Sequence, residues 1–225
     1  MNNLKYGLWV IMLFGLMACQ DTAPPNNVNN TATEAAQNDF VILALGDSLT
    51  EGLGVDETHN YPAILQQQLH NTGFVDVKVV NAGLSGETST GLLNRLDWVM
   101  QLQPDLTILT IGANDAMRGL DLERTDDNIR TIIKILQQKN SDVILAGMEI
   151  YDNLGREYVS GFKDIYPRIA KDLDLPFIPF FLQGVAGDPE LNQQDGIHPN
   201  HSGYQVIVEN NILPAVTQYL NNNKP

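Results

Sequence analysis

Apolar and polar positions alternate along the chain in a way that predicts strands and helices in turn. Short runs of consecutive apolar residues recur at intervals that leave room for one helix between each pair. Runs of this kind are typical of strands that are buried on both faces. The predicted strands are Phe40–Leu45, Val75–Val80, Leu106–Ile111, Val143–Met148 and Phe177–Phe180.

The segments between these runs carry helix signals. Asn60 and Thr88 stand where helix N-caps belong, and Asn60 is followed by Pro62 in the first turn. Pro167 predicts a bend or interruption in the fourth helix, and Pro214 predicts an irregularity in the last one. The predicted helices cover residues 61–70, 89–101, a segment around 129–136, 156–173 and 202–220.

Strict alternation of strands and helices predicts an α/β fold in which helices cover both faces of a parallel sheet. In such sheets, sites lie outside the carboxyl ends of the strands. The polar residues that follow each strand are therefore the first candidates for chemistry.

The first residues of the chain differ from the rest. Lys5 precedes an apolar stretch, residues 8–18, which is too short to span a bilayer and is typical of a signal peptide. Cys19 follows the stretch directly, and the segment Leu-Met-Ala-Cys19 resembles a bacterial lipobox. This predicts removal of residues 1–18 and attachment of lipid to Cys19. An ordinary signal peptide with a chance cysteine is the alternative.

Cys19 is the only cysteine, so no disulfide can form within the chain. Gln20 follows it, and the absence of aspartate at that position favours the outer membrane over the inner one. Residues 19–38 are rich in Asn, Thr, Ala and Pro and predict a disordered tether before one domain, residues 39–225. We therefore expect a lipid-anchored protein of the bacterial cell envelope that faces the periplasm.

Charge argues against one class of partner. The formal net charge is -14. The hydrophobic content of 43% is ordinary for a globular protein. An acidic surface repels phosphate backbones, so we expect no nucleic-acid binding.

The segment Gly46-Asp47-Ser48 directly follows the first predicted strand. A serine at a strand end is a candidate nucleophile. The segment 48–51 also fits a capping box, so Ser48 as a helix N-cap is an equally open interpretation. A serine at a helix start also has an outward-pointing N–H, which is the kind of donor that an oxyanion needs.

A carboxylate and an imidazole follow the fifth predicted strand, in the segment Asp195-Gly-Ile-His198. A tight turn can place Asp195 against one ring nitrogen of His198 and leave the other for Ser48. The alternative is a simple turn with a helix cap at Asn200. Asp195, His198 and His201 also recur at every third residue, as metal ligands can, but a metal site needs more convergent ligands than a chain with four histidines offers.

Two further loops offer hydrogen-bond donors. Gly86, after the second strand, lets the backbone approach a ligand and donate its N–H. Asn114, after the third strand, carries a neutral side-chain amide that suits an oxyanion. Taken alone, the first loop is also an ordinary glycine-rich connection, and residues 112–115 are also ordinary turn formers.

These four segments, in this order, resemble the conserved blocks of the SGNH, or GDSL, hydrolase family. The resemblance covers residues 40–220 and is nearest to the branch of bacterial arylesterases and acyl-CoA thioesterase I/lysophospholipase L1. It implies a three-layer α/β/α sandwich of flavodoxin-like fold with a five-stranded parallel sheet. It also implies that the protein needs no metal and no cofactor.

The resemblance further implies a role for each candidate residue. Ser48 would be the nucleophile, His198 the general base and then acid, and Asp195 the residue that orients His198. The oxyanion hole would comprise the N–H groups of Ser48 and Gly86 and the amide of Asn114. We therefore expect a serine ester hydrolase that acts on small acyl or aryl esters, thioesters or lysophospholipids. The alternatives are a carbohydrate deacetylase of the envelope and a catalytically silent binding lipoprotein.

Overall fold

The computed structural model describes residues 39–151 and 154–223. The signal peptide, the lipid attachment site at Cys19 and the tether lie outside the described residues, so these three assignments stay predictions. Within the two described ranges, no helix combines the length and the apolar character that crossing a bilayer requires.

The core of the fold is a sheet of five parallel strands. In chain order these are β1 (Phe40–Gly46), β2 (Val77–Gly83), β3 (Leu106–Thr110), β4 (Asp142–Ala146) and β5 (Phe177–Ile178). Their order across the sheet is β2-β1-β3-β4-β5, the flavodoxin-like arrangement. The predicted five-stranded parallel sheet is therefore confirmed.

Eight α-helices connect or flank the strands in the described residues. They are α1 (Ser48–Glu51), α2 (Tyr61–Asn71), α3 (Ser89–Val99), α4 (Ala113–Met117), α5 (Leu122–Gln138), α6 (Arg156–Asp172), α7 (His201–Ile207) and α8 (Leu213–Asn223). Helix α2 packs against α7 and α8, whereas α5 packs against α3 and α6. Every residue of β3 is buried, so helices cover both faces at the centre of the sheet.

The helix caps follow the sequence signals. Asn60 accepts a hydrogen bond from the N–H of Ala63 at 3.0 Å, and Thr88 accepts one from the N–H of Gly91 at 3.2 Å. Each bond satisfies an N–H that has no partner within its helix. Both predicted caps are thus confirmed.

Several elements differ from the prediction, among them β2 and the helix that contains Pro167. Strand β2 begins at Val77 rather than Val75, because Val77 is the residue in register with the start of β1 while Val75 is 65% exposed. Helix α6 continues through Pro167, so no interruption occurs there. The irregularity predicted for the last helix is a π-helical segment, Val208–Ile212, just before Pro214. Proline has no N–H to donate to the preceding turn, which accounts for a change in the hydrogen-bond ladder at this point.

The carboxyl ends of the central strands lie level. Gly46 at the end of β1 is in register with Gly83 of β2 and Thr110 of β3. The residues that follow these strands therefore meet at one edge of the sheet.

Candidate active site

Ser48 lies at the carboxyl end of β1, as the first residue of α1. The N-cap of that short helix is Asp47, whose Oδ1 accepts a hydrogen bond from the N–H of Leu49 at 3.1 Å. The interpretation of Ser48 as the N-cap is therefore wrong. Because the residue before it provides the cap, the Ser48 hydroxyl is free to take another partner.

Glycine is needed at position 46 because neighbouring backbone approaches it closely, and not because its backbone angles are unusual. A Cβ atom at Gly46 would lie 2.2 Å from the carbonyl oxygen of Thr110 and 2.4 Å from Oγ1 of Thr50. No side chain fits at those distances. The absence of a side chain thus lets the end of β1 pack directly against β3 and fixes the position from which Ser48 projects.

Three side chains form a continuous hydrogen-bonded chain at this edge of the sheet. The Ser48 hydroxyl lies 2.9 Å from Nε2 of His198. The other ring nitrogen of His198, Nδ1, lies 2.7 Å from Oδ2 of Asp195. The structure thus brings together three of the predicted site residues, and Ser48 stands 150 positions away from His198 in sequence.

A tight turn holds Asp195 in place. Its Oδ1 accepts hydrogen bonds from the N–H groups of Ile197 and His198, both at 3.0 Å. Partial desolvation opposes ionisation of Asp195, but the hydrogen bonds from the His198 ring and from the two N–H groups outweigh it and lower the pKa of Asp195 to about 2. An ionised carboxylate can only accept, so Nδ1 of His198 donates to it and Nε2 is left to accept from the Ser48 hydroxyl.

Asn114 lies on the wall of the same cavity as Ser48 and His198. It belongs to α4, a short helix where the sequence indicated a turn, and its side chain is buried. Its Nδ2 donates a hydrogen bond to Oδ2 of Asp47 at 3.3 Å. One N–H of the amide is thereby used, and the second is available to a ligand.

Gly86 lies in an exposed loop after β2. Its φ of 76° is in the left-handed region that favours glycine, and its carbonyl oxygen accepts a hydrogen bond from Nη2 of Arg118 at 2.8 Å. The loop is tied to the end of β1, because the N–H of Leu84 donates to the carbonyl oxygen of Gly46 at 3.0 Å. The Gly86 N–H has no hydrogen-bond partner among the described residues, and Gly86 is not among the residues that line the cavity.

A cavity of about 430 Å³ opens beside the Ser48 hydroxyl. Part of its wall comes from loops that follow β4 and β5, and that part is mainly apolar. The apolar lining includes Met117, Met148, Ile150, Phe180, Leu182 and Ile197. A cavity of this character accepts an uncharged chain or ring next to the hydroxyl.

Two residues of this site were not predicted from the sequence. Asp47 was noted only as part of the Gly-Asp-Ser segment, and the sequence signal that points to it is its position between a buried strand and the candidate nucleophile. Tyr151 donates a hydrogen bond from its hydroxyl to the carbonyl oxygen of Gly196 at 2.7 Å and so links the cavity wall to the turn that carries His198. Nothing in the sequence pattern marks this tyrosine.

The remaining candidate ligand, His201, stacks on another histidine. The rings of His201 and His59 are parallel within 8°, with centroids 3.9 Å apart. In the described part of the chain, no group of three or more His, Cys, Asp or Glu side chains is arranged to hold a metal ion. The metal hypothesis therefore has no ligand set among these residues.

A serine, an imidazole and a carboxylate linked in this order, at the carboxyl edge of a parallel sheet, define a hydrolase of the nucleophilic serine class. The particular family follows from comparison with known proteins. Residues 44–206 match the GDSL-like Lipase/Acylhydrolase family, and the chain belongs to it. The predicted family is thus confirmed.

Relatives with assigned names agree with this family. Esterase TesA of Pseudomonas aeruginosa is 34% identical over 191 residues, which is 84% of this chain and 92% of that protein. Thioesterase 1/protease 1/lysophospholipase L1 of Escherichia coli K12 is 35% identical over 169 residues, 75% of this chain and 79% of that protein. The crystal structure of the psychrotrophic esterase EstA from Pseudoalteromonas sp., inhibited by monoethylphosphonate, has a TM-score of 0.76 and 30% identity and covers 81% of this chain and 100% of that chain. The chain is a serine ester hydrolase.

Proposed function

We propose that the protein hydrolyses short to medium acyl esters, aryl esters and thioesters through an acyl-enzyme on Ser48. The observation that carries this proposal is the pair of contacts of His198, at 2.9 Å to Ser48 and 2.7 Å to Asp195. The apolar cavity beside Ser48 supports an acyl or aryl group as the part of the substrate that is bound. The names of the relatives, esterase and thioesterase, support both leaving groups.

In the first half of the reaction, Oγ of Ser48 attacks the carbonyl carbon of the ester while Nε2 of His198 takes the hydroxyl proton. The electron pair of the C=O bond moves to the carbonyl oxygen. When this pair returns, the bond to the leaving group breaks and the leaving oxygen or sulfur takes the proton from Nε2. The products are the free alcohol or thiol and an acyl group bound to Ser48.

In the second half, His198 takes a proton from a water molecule, and the resulting hydroxide attacks the acyl carbon. Collapse of the second tetrahedral intermediate returns the proton to Oγ of Ser48 and releases the carboxylic acid. In both halves, the carboxylate of Asp195 stabilises the imidazolium that forms and keeps Nδ1 protonated.

Three donors would receive the negative charge on the carbonyl oxygen. The N–H of Ser48 is at the first position of α1, and it is among the N–H groups that a helix leaves without a partner within itself. Asn114 contributes the N–H that is not bonded to Asp47, and Gly86 contributes an N–H that has no partner among the described residues. Removal of one such donor typically lowers turnover by about 10²–10³-fold.

The test is hydrolysis of a series of p-nitrophenyl esters from acetyl to decanoyl by the wild type, Ser48→Ala and the matched control Ser160→Ala. Ser160 is exposed on α6, so the control is expected to keep full activity. We expect Ser48→Ala to lose activity on every ester, and to lose labelling by a fluorophosphonate probe, with an unchanged thermal midpoint. More than a few per cent of residual activity would remove Ser48 from its role, and activity confined to acetyl esters would favour a carbohydrate deacetylase.

We also propose that a lipid on Cys19 anchors the enzyme to the bacterial envelope, facing the periplasm, at the outer membrane. The lipobox-like segment and the absence of aspartate after Cys19 support this placement. The test is fractionation of cells that express the full chain or Cys19→Ser. Recovery of both proteins in the same soluble fraction would contradict the anchor.

A further inference from the structure

Asp47 is a buried carboxylate beside the nucleophile that the reaction described above does not use. Its exposed fraction is 1%. A buried carboxylate is costly unless its oxygens are hydrogen bonded. Oδ1 accepts from the N–H of Leu49 at 3.1 Å and Oδ2 accepts from Nδ2 of Asn114 at 3.3 Å. Oδ1 thus caps helix α1, and Oδ2 binds the predicted oxyanion donor, Asn114.

The contact with Asp47 decides which way the Asn114 amide is turned. An amide has two donating hydrogens on nitrogen and an accepting oxygen, and its two ends have nearly the same shape. Among the described residues, Asp47 is the only hydrogen-bond partner of the Asn114 side chain. An ionised carboxylate has no proton to donate, so it binds the nitrogen end and rejects the oxygen end.

We propose that Asp47 is a positioning residue of the reaction, whose carboxylate fixes the nitrogen of Asn114 toward the carbonyl oxygen of the substrate. The proposal rests on the proposed role of Asn114 as an oxyanion donor. It assigns the second residue of the Gly-Asp-Ser segment a task that is separate from its N-cap of α1.

The buried environment of Asp47 makes its ionised form unfavourable, and a functional gain has to offset this loss of stability. Burial raises the pKa of Asp47 to about 6, against the opposing effect of the Leu49 and Asn114 hydrogen bonds and of His198. A raised carboxyl pKa means that the folded state disfavours the ionised form, so this group lowers stability as pH rises from about 4 to about 6, and its effect is constant at higher pH. The titratable groups that face Asp47 are His198, Glu87, Tyr61, Tyr166 and Tyr204.

The sharpest variant is Asp47→Asn, which keeps the shape of the side chain and an acceptor for the N–H of Leu49. Its other end is an NH2 group, which meets the NH2 of Asn114 donor to donor. The Asn114 amide must then turn over and present its oxygen to the oxyanion. We expect kcat at pH 8 to fall by about 10- to 100-fold, with KM within about threefold and a thermal midpoint no lower than that of the wild type. A residue with a purely structural role would lower the midpoint and leave kcat of the folded enzyme unchanged.

A double-mutant cycle tests whether Asp47 acts through Asn114. We expect Asn114→Ala to lower kcat, and the double variant with Asp47→Asn to lose no more than Asn114→Ala alone. The matched control is Asp97→Asn, an exposed residue of α3, which is expected to keep the wild-type kcat. If Asp47→Asn does not fold, Asp47→Ser keeps an N-cap but is too short to reach Asn114 and takes its place in the cycle.

The outcomes separate this inference from the proposed function. Wild-type kcat in Asp47→Asn with a slow Asn114→Ala would overturn the role of Asp47 alone. Losses that multiply in the double variant would also overturn it, because Asp47 would then act independently of Asn114. Full turnover in Asn114→Ala would instead overturn the oxyanion role on which the inference rests.

Discussion

Replacement of Asp195 by asparagine tests how the carboxylate acts on His198. The Oδ1 of asparagine can keep both hydrogen bonds from the N–H groups of Ile197 and His198, which are 3.0 Å long in the wild type. An NH2 group then takes the place of Oδ2, 2.7 Å from Nδ1 of His198. Nδ1 must accept from it, so the ring proton moves to Nε2 and faces the Ser48 hydroxyl. The variant therefore keeps the turn but holds His198 in the tautomer that cannot take the proton of the Ser48 hydroxyl.

The size of the effect follows from two contributions to the barrier. The His198 ring must return to the active tautomer before Nε2 can accept a proton. This return breaks the hydrogen bond from the NH2 group to Nδ1 and places two donors against each other, which costs about 1–3 kcal/mol. Loss of the charge that stabilises the imidazolium costs about 1 kcal/mol at the dielectric constant of water and about 4 kcal/mol at an effective value of 20, for charges about 4 Å apart. The sum of about 2–7 kcal/mol corresponds to about 30-fold to 10⁵-fold in rate. Because the Asp195 side chain is 44% exposed, solvent screens its charge, and we expect a loss of about 10²–10³-fold in kcat.

The assay is steady-state hydrolysis of p-nitrophenyl butyrate at pH 8 by the wild type, Asp195→Asn and the control Asp174→Asn. Asp174 is exposed and has a φ of 51°, which asparagine tolerates, so the control is expected to keep its activity. Because the pKa of Asp195 is lowered in the folded state, its carboxylate stabilises the fold above about pH 4, and this contribution to stability is lost as pH falls toward 2. The variant is therefore also expected to lose this acid dependence of stability. A kcat within threefold of the wild type would refute the tautomer argument, provided that Ser48→Ala is inactive.

Two further predictions concern the frame of the site. Gly46→Ala would bring a Cβ to 2.2 Å from the carbonyl oxygen of Thr110 and is expected to destabilise the fold by about 1–3 kcal/mol in urea denaturation; an unchanged midpoint would contradict the close approach. Arg118→Ala removes the 2.8 Å hydrogen bond to the carbonyl oxygen of Gly86 and is expected to lower kcat by roughly 2- to 10-fold at an unchanged thermal midpoint. An effect on KM alone would show that Arg118 does not hold the Gly86 loop.

The long elements could be predicted from the sequence because their signals are local. Asn60 and Thr88 cap helices by hydrogen bonds that reach only three residues along the chain. The apolar runs of β1 and β3 likewise indicate burial on both faces without reference to any neighbour. Because sites in parallel sheets lie at the carboxyl ends of the strands, the sequence also predicted that Ser48 and His198 lie close together.

The short elements and the finer contacts could not be predicted, because long-range packing decides them. Helices α1 and α4 have four and five residues, which are too few to be stable by themselves. The hydrogen bond that joins them, from Asn114 to Asp47, links residues that are 67 positions apart. A capping box at Ser48 and a cap at Asp47 are locally similar, and the structure favours Asp47. The bond from Tyr151 to Gly196 joins two loops and has no periodic pattern to reveal it.

The three residues of the Gly-Asp-Ser segment have three different physical roles at one point of the fold. Gly46 is required because the carbonyl oxygen of Thr110 leaves no room for a Cβ. Ser48 is required for its hydroxyl, and Asp47 for an oxygen that reaches Asn114 while the other caps the helix. If Asp47 served the cap alone, an asparagine would do equally well and would avoid a buried charge. The presence of a carboxylate at this buried position, where an asparagine could cap the helix, is therefore the strongest argument that the middle residue acts on the oxyanion side of the reaction.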